Sequence, residues 1–324
     1  MFIMSCCGST QRLADQNILV IKLGALGDFV QAAGPFAAIR AHHPNARITL
    51  LTTHPFAEFA RRAPWFDDVW IDTRPRLSRP SDLLDLRRRL RAGTFARVYD
   101  LQTSDRSSGY RRLFWPGPMP EWSGIARGAS HPHANPQRDF MHTFERQKEQ
   151  LAMVGIAEVR PPDFSWIIRS ALRFWLPRPF ALLVPGGSAH RPEKRWPIGH
   201  YSALATQIAG RGIVPVVIGA PSEKPMADAI CAVAPRARSL CGETDLSDLF
   251  ALAREAEFAV GNDTGPMHIM AVMSCPTVVL FSKASDPALC APRGSRVAVL
   301  RRDDLTRIRI DEVLAAIPRN GPGS

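Results

Sequence analysis

The sequence predicts an α/β protein built as two doubly wound parallel-sheet domains in tandem, and three observations carry this. Its strands are continuous apolar runs rich in Val, Ile and Leu instead of alternating ones, as in parallel strands covered on both faces. Each run ends in a Gly- or Pro-rich polar turn that leads into a helical pattern. That strand–turn–helix series occurs in both halves, around a run with prolines at 161, 162, 177 and 179 that marks the interdomain linker. The domains are placed at residues 1–170 and 171–324.

In the first half a strand over Asn17–Lys22 breaks at the glycine turn Leu23–Asp28. A helix follows from Phe29 to Arg40, and a second strand over Ala46–Thr52 completes a βαβ unit. The turn's two glycines, 24 and 27, fall short of the G-x-G-x-x-G dinucleotide pattern. Asp28 stands where an anion-binding helix start wants no carboxylate, so it reads either as a helix cap or as a catalytic group. Strands are expected at Asp68–Ile71 and Ala96–Asp100, separated by the basic helix Leu83–Arg91. The polar loop Asp100–Arg106 lies at a strand's carboxyl end, the side on which open α/β sheets bind ligands. Residues 115–139, rich in Pro, Gly and His, read as a long functional loop, and the helix His142–Met153 follows. His131 and His133 lack the spacing and the carboxylates of a metal site.

The second half offers the strand Phe180–Val184, the loop Pro185–Pro197 and a helix from Ile198 to Ala209. A strand over Ile213–Ile218, the turn Gly219–Glu223, a helix to Val233 and the helix Leu246–Glu255 come next. The stretch Phe258–Val272 then reads as strand end, polar turn and helix, with Asp263 or Thr264 as cap and Pro266 in the first turn. Such a junction turns backbone N–H groups and the positive end of a helix dipole on one point, a natural seat for phosphate. A strand over Thr277–Phe281 follows.

Composition narrows the class. With 324 residues, 45% of them hydrophobic and no apolar run of membrane-spanning length, the chain reads as globular and cytoplasmic. Residues 1–16, which include Cys6 and Cys7, lack a basic n-region and read as a leader, not a signal peptide. None of the six cysteines forms a Cys-x-x-Cys pair, which speaks against structural zinc and disulfides. The net charge of +11, mostly arginine and heavier in the first half, suits an anionic substrate or surface. No nucleic-acid-binding module accompanies it, so a nucleic-acid partner is not expected.

Four fragments in order resemble the ADP-heptose–lipopolysaccharide heptosyltransferases, glycosyltransferase family 9. These are Ile18–Asp28, Lys194–Pro197 (KRWP), Gly219–Glu223 (GAPSE) and Asp263–His268 (DTGPMH), within a resemblance running from about Ile18 to Ile317. The resemblance implies a GT-B fold, two facing Rossmann-like domains with a cleft between them, and an inverting, metal-independent transfer from an ADP-sugar with no cofactor. Asp28 matches the family's general base, and Lys194 is placed to neutralise the departing diphosphate. Donor contacts are expected from Ser188, Glu223 on the ribose, Thr244 and Leu246 near the base, and Asp263, Thr264, Gly265 and His268 at the phosphates. Acceptor contacts are expected from Gly27, Gln102, Arg106, Arg127, His142 and Arg146, with the acceptor an anionic lipid-linked saccharide (Kdo-lipid A or inner core). A soluble enzyme with a lipid-linked acceptor implies peripheral contact with the inner face of the inner membrane, for which Arg87–Arg91 and Tyr110–Trp115 are the candidate residues. A GT-B epimerase acting on the nucleotide sugar alone is the alternative, and a basic nucleic-acid binder the remoter one.

Overall fold

The computed structural model of the protein describes residues 17–75, 80–167, 171–188 and 190–318. The leader with Cys6 and Cys7 lies outside the described residues. The chain forms two compact units whose segments interleave. The first takes the stretches up to Leu23, Pro35–Ala134 and Glu149–Val159; the second takes Gly24–Gly34, Asn135–Lys148 and the chain from Arg160 on.

In chain order the first sheet contributes β1 (Asn17–Ile21), β2 (Arg47–Thr52), β3 (Asp68–Ile71), β4 (Arg97–Asp100), β5 (Glu121–Gly124) and β6 (His131–Pro132). Between them run α1 (Leu26–Gln31), α2 (Ala33–His42), α3 (His54–Arg62), α4 (Pro80–Ala92) and α5 (Asp105–Gly109), and α6 (Thr143–Ala152) follows β6. The strands are all parallel, in the order β3-β2-β1-β4-β5-β6. Ile18 to Ile21 are fully buried. At about 1.5–3 kcal/mol per buried aliphatic side chain, this central run outweighs any local preference of its residues. The core on one face joins Leu19 and Ile21 to Val98, Trp122, Phe114, Leu86 and Leu90.

The second sheet is built from β7 (Phe180–Val184), β8 (Val214–Val217), β9 (Arg238–Ser239), β10 (Ala259–Asn262), β11 (Thr277–Phe281) and β12 (Val297–Arg301). Its helices are α7 (Ile198–Gly210), α8 (Lys224–Val233), α9 (Leu246–Glu255), α10 (Gly265–Val272), α11 (Pro287–Cys290) and α12 (Ile310–Ala315). The order β12-β11-β10-β7-β8-β9, also all parallel, repeats the topology of the first sheet strand for strand. In both sheets the strand order reverses beside the first strand, between β1 and β4 and between β7 and β10. Doubly wound sheets bind ligands at that reversal.

Two expectations need correction. The helix expected over Phe29–Arg40 is two helices, because Pro35 has no N–H to donate to the carbonyl four residues back, at Gln31, where α1 ends. Residues 115–139 are not a structureless loop: β5 and β6 extend the sheet there. The strands are short and carry Ser123, Gly124 and Pro132, so no apolar period betrays them. The fully buried Trp122 is their one core anchor.

Candidate active site

The reversal point of the second sheet is held by a residue whose role the sequence does not announce. Asn262, the last residue of β10, is fully buried. Its Nδ2 donates to the carbonyls of Pro185 (2.8 Å) and Gly186 (3.1 Å). Its Oδ1 accepts from the Trp196 backbone N–H (3.0 Å) and the Tyr201 hydroxyl (3.1 Å). One amide thus ties the loop after β7, the Lys194–Pro197 segment and α7 to the end of β10. Reading the strand as ending at Val260 leaves Asn262 in a turn; the structure continues β10 two residues further. Gly261 permits this, since a Cβ there would meet Val184 at 2.7 Å and the Met267 side chain.

Asp263 follows directly. Its Oδ2 accepts from Lys194 Nζ at 2.6 Å and from the Ser285 hydroxyl at 2.7 Å, and the two charged side chains are mostly buried. Asp263 therefore does not cap α10. Thr264 occupies the N-cap position in extended backbone geometry, but its side chain makes no capping hydrogen bond. Pro266 sits in the first turn, as expected. The start of this helix presents a threonine hydroxyl and a positive dipole end beside a lysine, which is chemistry suited to a phosphate.

The glycine loop after β7 is shaped by Glu223. One carboxylate oxygen accepts the Gly187 N–H (3.0 Å) and the other the Ala220 N–H (2.7 Å). A Cβ at Gly186 would collide with that carboxylate, and one at Gly219 would come within 2.6 Å of it. Ser188 is exposed on the same loop. Gly242 packs on Pro221 and donates to the Gly219 carbonyl at 2.9 Å, which brings the Cys241–Leu246 segment to the Glu223 turn. Thr244 and Leu246 are both half-buried there.

Asp28 lies in the first turn of α1, which follows β1 in the chain but belongs to the second unit. Ala25, not Asp28, is the N-cap. The carboxylate is half-buried and, among the described residues, has no hydrogen-bond or ion-pair partner. The helix itself is fixed by close approach to α10. A Cβ on Gly27 would stand 2.6 Å from the His268 ring, and one on Gly265 2.6 Å from Leu26. Gly27 is thus the contact point between the two helices. His268, expected at the phosphates, is buried against α1 with Gln31 Nε2 donating to its Nδ1 (3.1 Å). Burial holds this imidazole down to about 4, against the raising influence of Asp263 and Asp28. The Cys290 thiol, pushed up to about 11 by burial first, also feels Asp263, Lys194 and Asp28. Asp28, Lys194 and Asp263 therefore share one electrostatic neighbourhood.

His142 has both ring nitrogens engaged within the chain. Nε2 donates to the Ala291 carbonyl (3.0 Å) and Nδ1 accepts from the Phe144 N–H (3.2 Å). These bonds fasten the start of α6 to the segment after α11. The Arg293–Glu145 pair (2.5 Å) reinforces them. Arg146, half-buried, lies 3.9 Å from Asp139.

In the first unit the reversal point lies between Leu23 and Asp100. Gln102 Oε1 accepts the Leu23 N–H at 2.8 Å, and Lys22 Nζ donates to the Leu101 carbonyl at 3.1 Å. Asp100 is fully buried, with Oδ1 accepting from Gln102 and Thr103. Burial pushes its carboxyl up to about 6 despite those bonds. Arg106 is exposed and donates to the Pro75 carbonyl (3.1 Å), and Arg127 is exposed. Among the described residues no three His, Cys, Asp or Glu side chains converge as metal ligands, and no helix is long and apolar enough to cross a membrane.

Comparison with known proteins adds an independent line. The family model of glycosyltransferase family 9 (heptosyltransferase) matches residues 125–309. The chain is similar to lipopolysaccharide heptosyltransferase 2 of Escherichia coli, 32% identical over 129 residues, 38% of this chain and 36% of the relative. It is likewise similar to lipooligosaccharide heptosyltransferase 2 of Haemophilus influenzae, 29% identical over 139 residues, 41% of this chain and 40% of the relative. Each alignment thus spans about two fifths of the relative's length. The solved structure of E. coli ADP-heptose lipopolysaccharide heptosyltransferase II superposes with a TM-score of 0.75 at 22% identity, covering 93% of this chain and 97% of that one. That likeness concerns the fold, a GT-B type with two parallel sheets of Rossmann order.

Proposed function

Because this chain belongs to glycosyltransferase family 9, the heptosyltransferase family, we propose that it transfers a heptose or a related sugar from an ADP-sugar to an anionic lipopolysaccharide-core acceptor, with inversion and without a metal. The observation that carries the reading is the Asp28 carboxylate, without a hydrogen-bond or ion-pair partner among the described residues, in the same electrostatic neighbourhood as the Lys194–Asp263 pair. In the reaction an acceptor hydroxyl attacks the anomeric carbon as the bond from that carbon to the diphosphate oxygen breaks. Asp28 takes the hydroxyl proton late, when the sugar has oxocarbenium character and the step does not call for a strong base. The departing ADP carries the electron pair away. Lys194 and the N-terminal end of α10, with Thr264 and Gly265, meet its charge.

On the donor side Glu223 is assigned to the ribose hydroxyls. Its two oxygens each accept one backbone N–H and keep lone pairs for a ligand. Ser188 adds a hydroxyl to the phosphates, and Thr244 and Leu246 flank the base. On the acceptor side the exposed Arg106 and Arg127, with Arg146, are assigned to carboxylates and phosphates. The acceptor is lipid-linked, so the enzyme works at the cytoplasmic face of a membrane.

The test is transfer to a deacylated inner-core acceptor from a panel of ADP-, UDP-, GDP- and dTDP-sugars, with and without EDTA. Sugar transfer from the ADP donor, unchanged by chelation, is the expected result. Consumption or rearrangement of nucleotide sugar in the absence of acceptor overturns the transferase reading in favour of an epimerase. Loss of transfer with EDTA overturns the metal-free step.

A further inference from the structure

Leu23 is buried, lies beyond the end of β1 and is the last residue before the turn that leads to Asp28. Side chains from three other strand ends at the carboxyl edge of the first sheet converge on its backbone. Gln102, after β4, accepts its N–H at 2.8 Å. The Thr53 hydroxyl, after β2, and Arg74 Nη2, after β3, both donate to its carbonyl oxygen, each at 3.1 Å. A carbonyl oxygen has two lone pairs, so these two donors saturate it. Thr53 occupies the N-cap position of α3 but makes no capping bond, and its hydroxyl is directed to Leu23 instead. Arg74 stands at φ +53°, in the left-handed region that residues other than glycine rarely adopt. The buried Asp72 holds it there. Its Oδ1 accepts the Arg74 N–H at 2.7 Å and its Oδ2 the Tyr110 hydroxyl at 2.7 Å. A backbone held in a sparsely populated conformation by its surroundings points to a working residue.

We propose that Thr53 and Arg74 are positioning residues for the transfer step. By holding the Leu23 carbonyl between them, they set the peptide from which the chain runs through Gly24–Gly27 to Asp28, and so the place of the base. The inference rests on Asp28 as the group that takes the acceptor proton. Neither side chain touches the reacting atoms in this role. A general base works only within hydrogen-bond reach of the hydroxyl it deprotonates, and a misplacement of about 1 Å costs about 10²-fold in rate. The clamp therefore acts on kcat. An arginine that bound the acceptor directly would act first on KM.

The experiment compares the wild-type chain with Thr53→Val, which keeps the shape and loses the hydroxyl, with Arg74→Met, which keeps the stem and loses the donors, and with the double variant. Each single change leaves one bond on the carbonyl and is expected to lower kcat about three- to tenfold. The double variant is expected to lose more than the product of the two, because only there is the buried oxygen left without either donor. Acceptor KM and ADP affinity are expected to stay within about twofold, and Thr53→Ser, which restores the hydroxyl, to recover kcat. Wild-type kcat in the double variant overturns the proposal. So does a rise in acceptor KM with kcat held, which makes Arg74 an acceptor ligand. Hydrogen exchange read by mass spectrometry, without substrate, supplies a second measurement. Faster exchange of the Phe29–Ala32 amides is expected in the double variant, and unchanged exchange overturns the clamp. Absence of transfer by the wild type would sink the proposed function, while the exchange comparison still decides whether these two side chains hold the turn.

Discussion

Lys194 Nζ lies 2.6 Å from Asp263 Oδ2, a mostly buried ion pair that bridges the loop after β7 and the turn after β10. Removing one partner of such a pair leaves the other charge under-compensated, and the Lys194 ammonium is held by Asp263, the residue before the N-cap of α10. Lys194→Ala is therefore expected to weaken ADP binding about 10- to 100-fold, the scale of a charge-assisted hydrogen bond, and to leave adenosine binding near the wild-type value. Calorimetric titration with the two ligands decides this. Equal losses for both would remove Lys194 from the diphosphate.

Among the described residues the Asp28 carboxylate has no hydrogen-bond or ion-pair partner, so its removal separates the kinetic effect from a folding one. Asp28→Ala is expected to lower kcat by about 10²- to 10⁴-fold, the range for a general base, with ADP affinity and the urea midpoint unchanged. Near-wild-type turnover in a verified donor–acceptor assay would end the assignment.

The contact between α1 and α10 depends on a missing side chain. Gly27→Ala sets a methyl 2.6 Å from the buried His268 ring and is expected to cost about 1–3 kcal/mol and to displace Asp28 with its helix. In a His268→Ala background the same change should cost far less. A double-mutant cycle on urea midpoints measures the coupling, and strict additivity would show that the two residues do not meet.

Asn262→Ala strips hydrogen bonds from two buried carbonyls, one buried N–H and the Tyr201 hydroxyl at once. A loss of about 3 kcal/mol or more in stability is expected. ADP affinity should fall as well, because the Lys194 loop is no longer fixed to β10. A stability change with unaltered ADP affinity would confine Asn262 to the core.

His268 makes acid stability a readout of the same contact. Burial holds its folded-state value down to about 4, below the ordinary 6.5, so between those limits the unfolded chain binds the extra proton. Its contribution is complete above about pH 6.5 and is lost progressively as pH falls toward 4, at up to about 1.4 kcal/mol per pH unit. His43, also held down to about 4 mainly by burial, adds in the same direction, while Asp100, pushed up to about 6, opposes. Both are common to wild type and His268→Gln. The variant's urea midpoint is expected to fall less steeply between pH 6.5 and 4.5, and parallel curves would contradict the neutral buried imidazole.

The sequence by itself determined the two parallel-sheet halves, because long unbroken runs such as Ile18–Ile21 and Phe180–Val184 can be buried only between two covering layers. It also determined the polar turns at strand ends and the charged residues in them, Asp28, Lys194 and Asp263, since turn chemistry is local. What it did not contain was the set of partners. Asn262 looks like one more turn residue until β10 is seen to carry it into the core. The intrachain bonds of His142, through both ring nitrogens, and of His268, through Nδ1, are likewise absent from the sequence. The strands β5 and β6 have no period to read and exist through pairing with β4 and with each other. The tertiary structure also decided that the helix bearing Asp28 packs against α10, a choice made by two missing side chains at Gly27 and Gly265 that no spacing rule records. Periodicity and turn propensity are properties of neighbours in the chain, whereas hydrogen-bond partners and close approaches are settled only when distant segments compete for the same buried space.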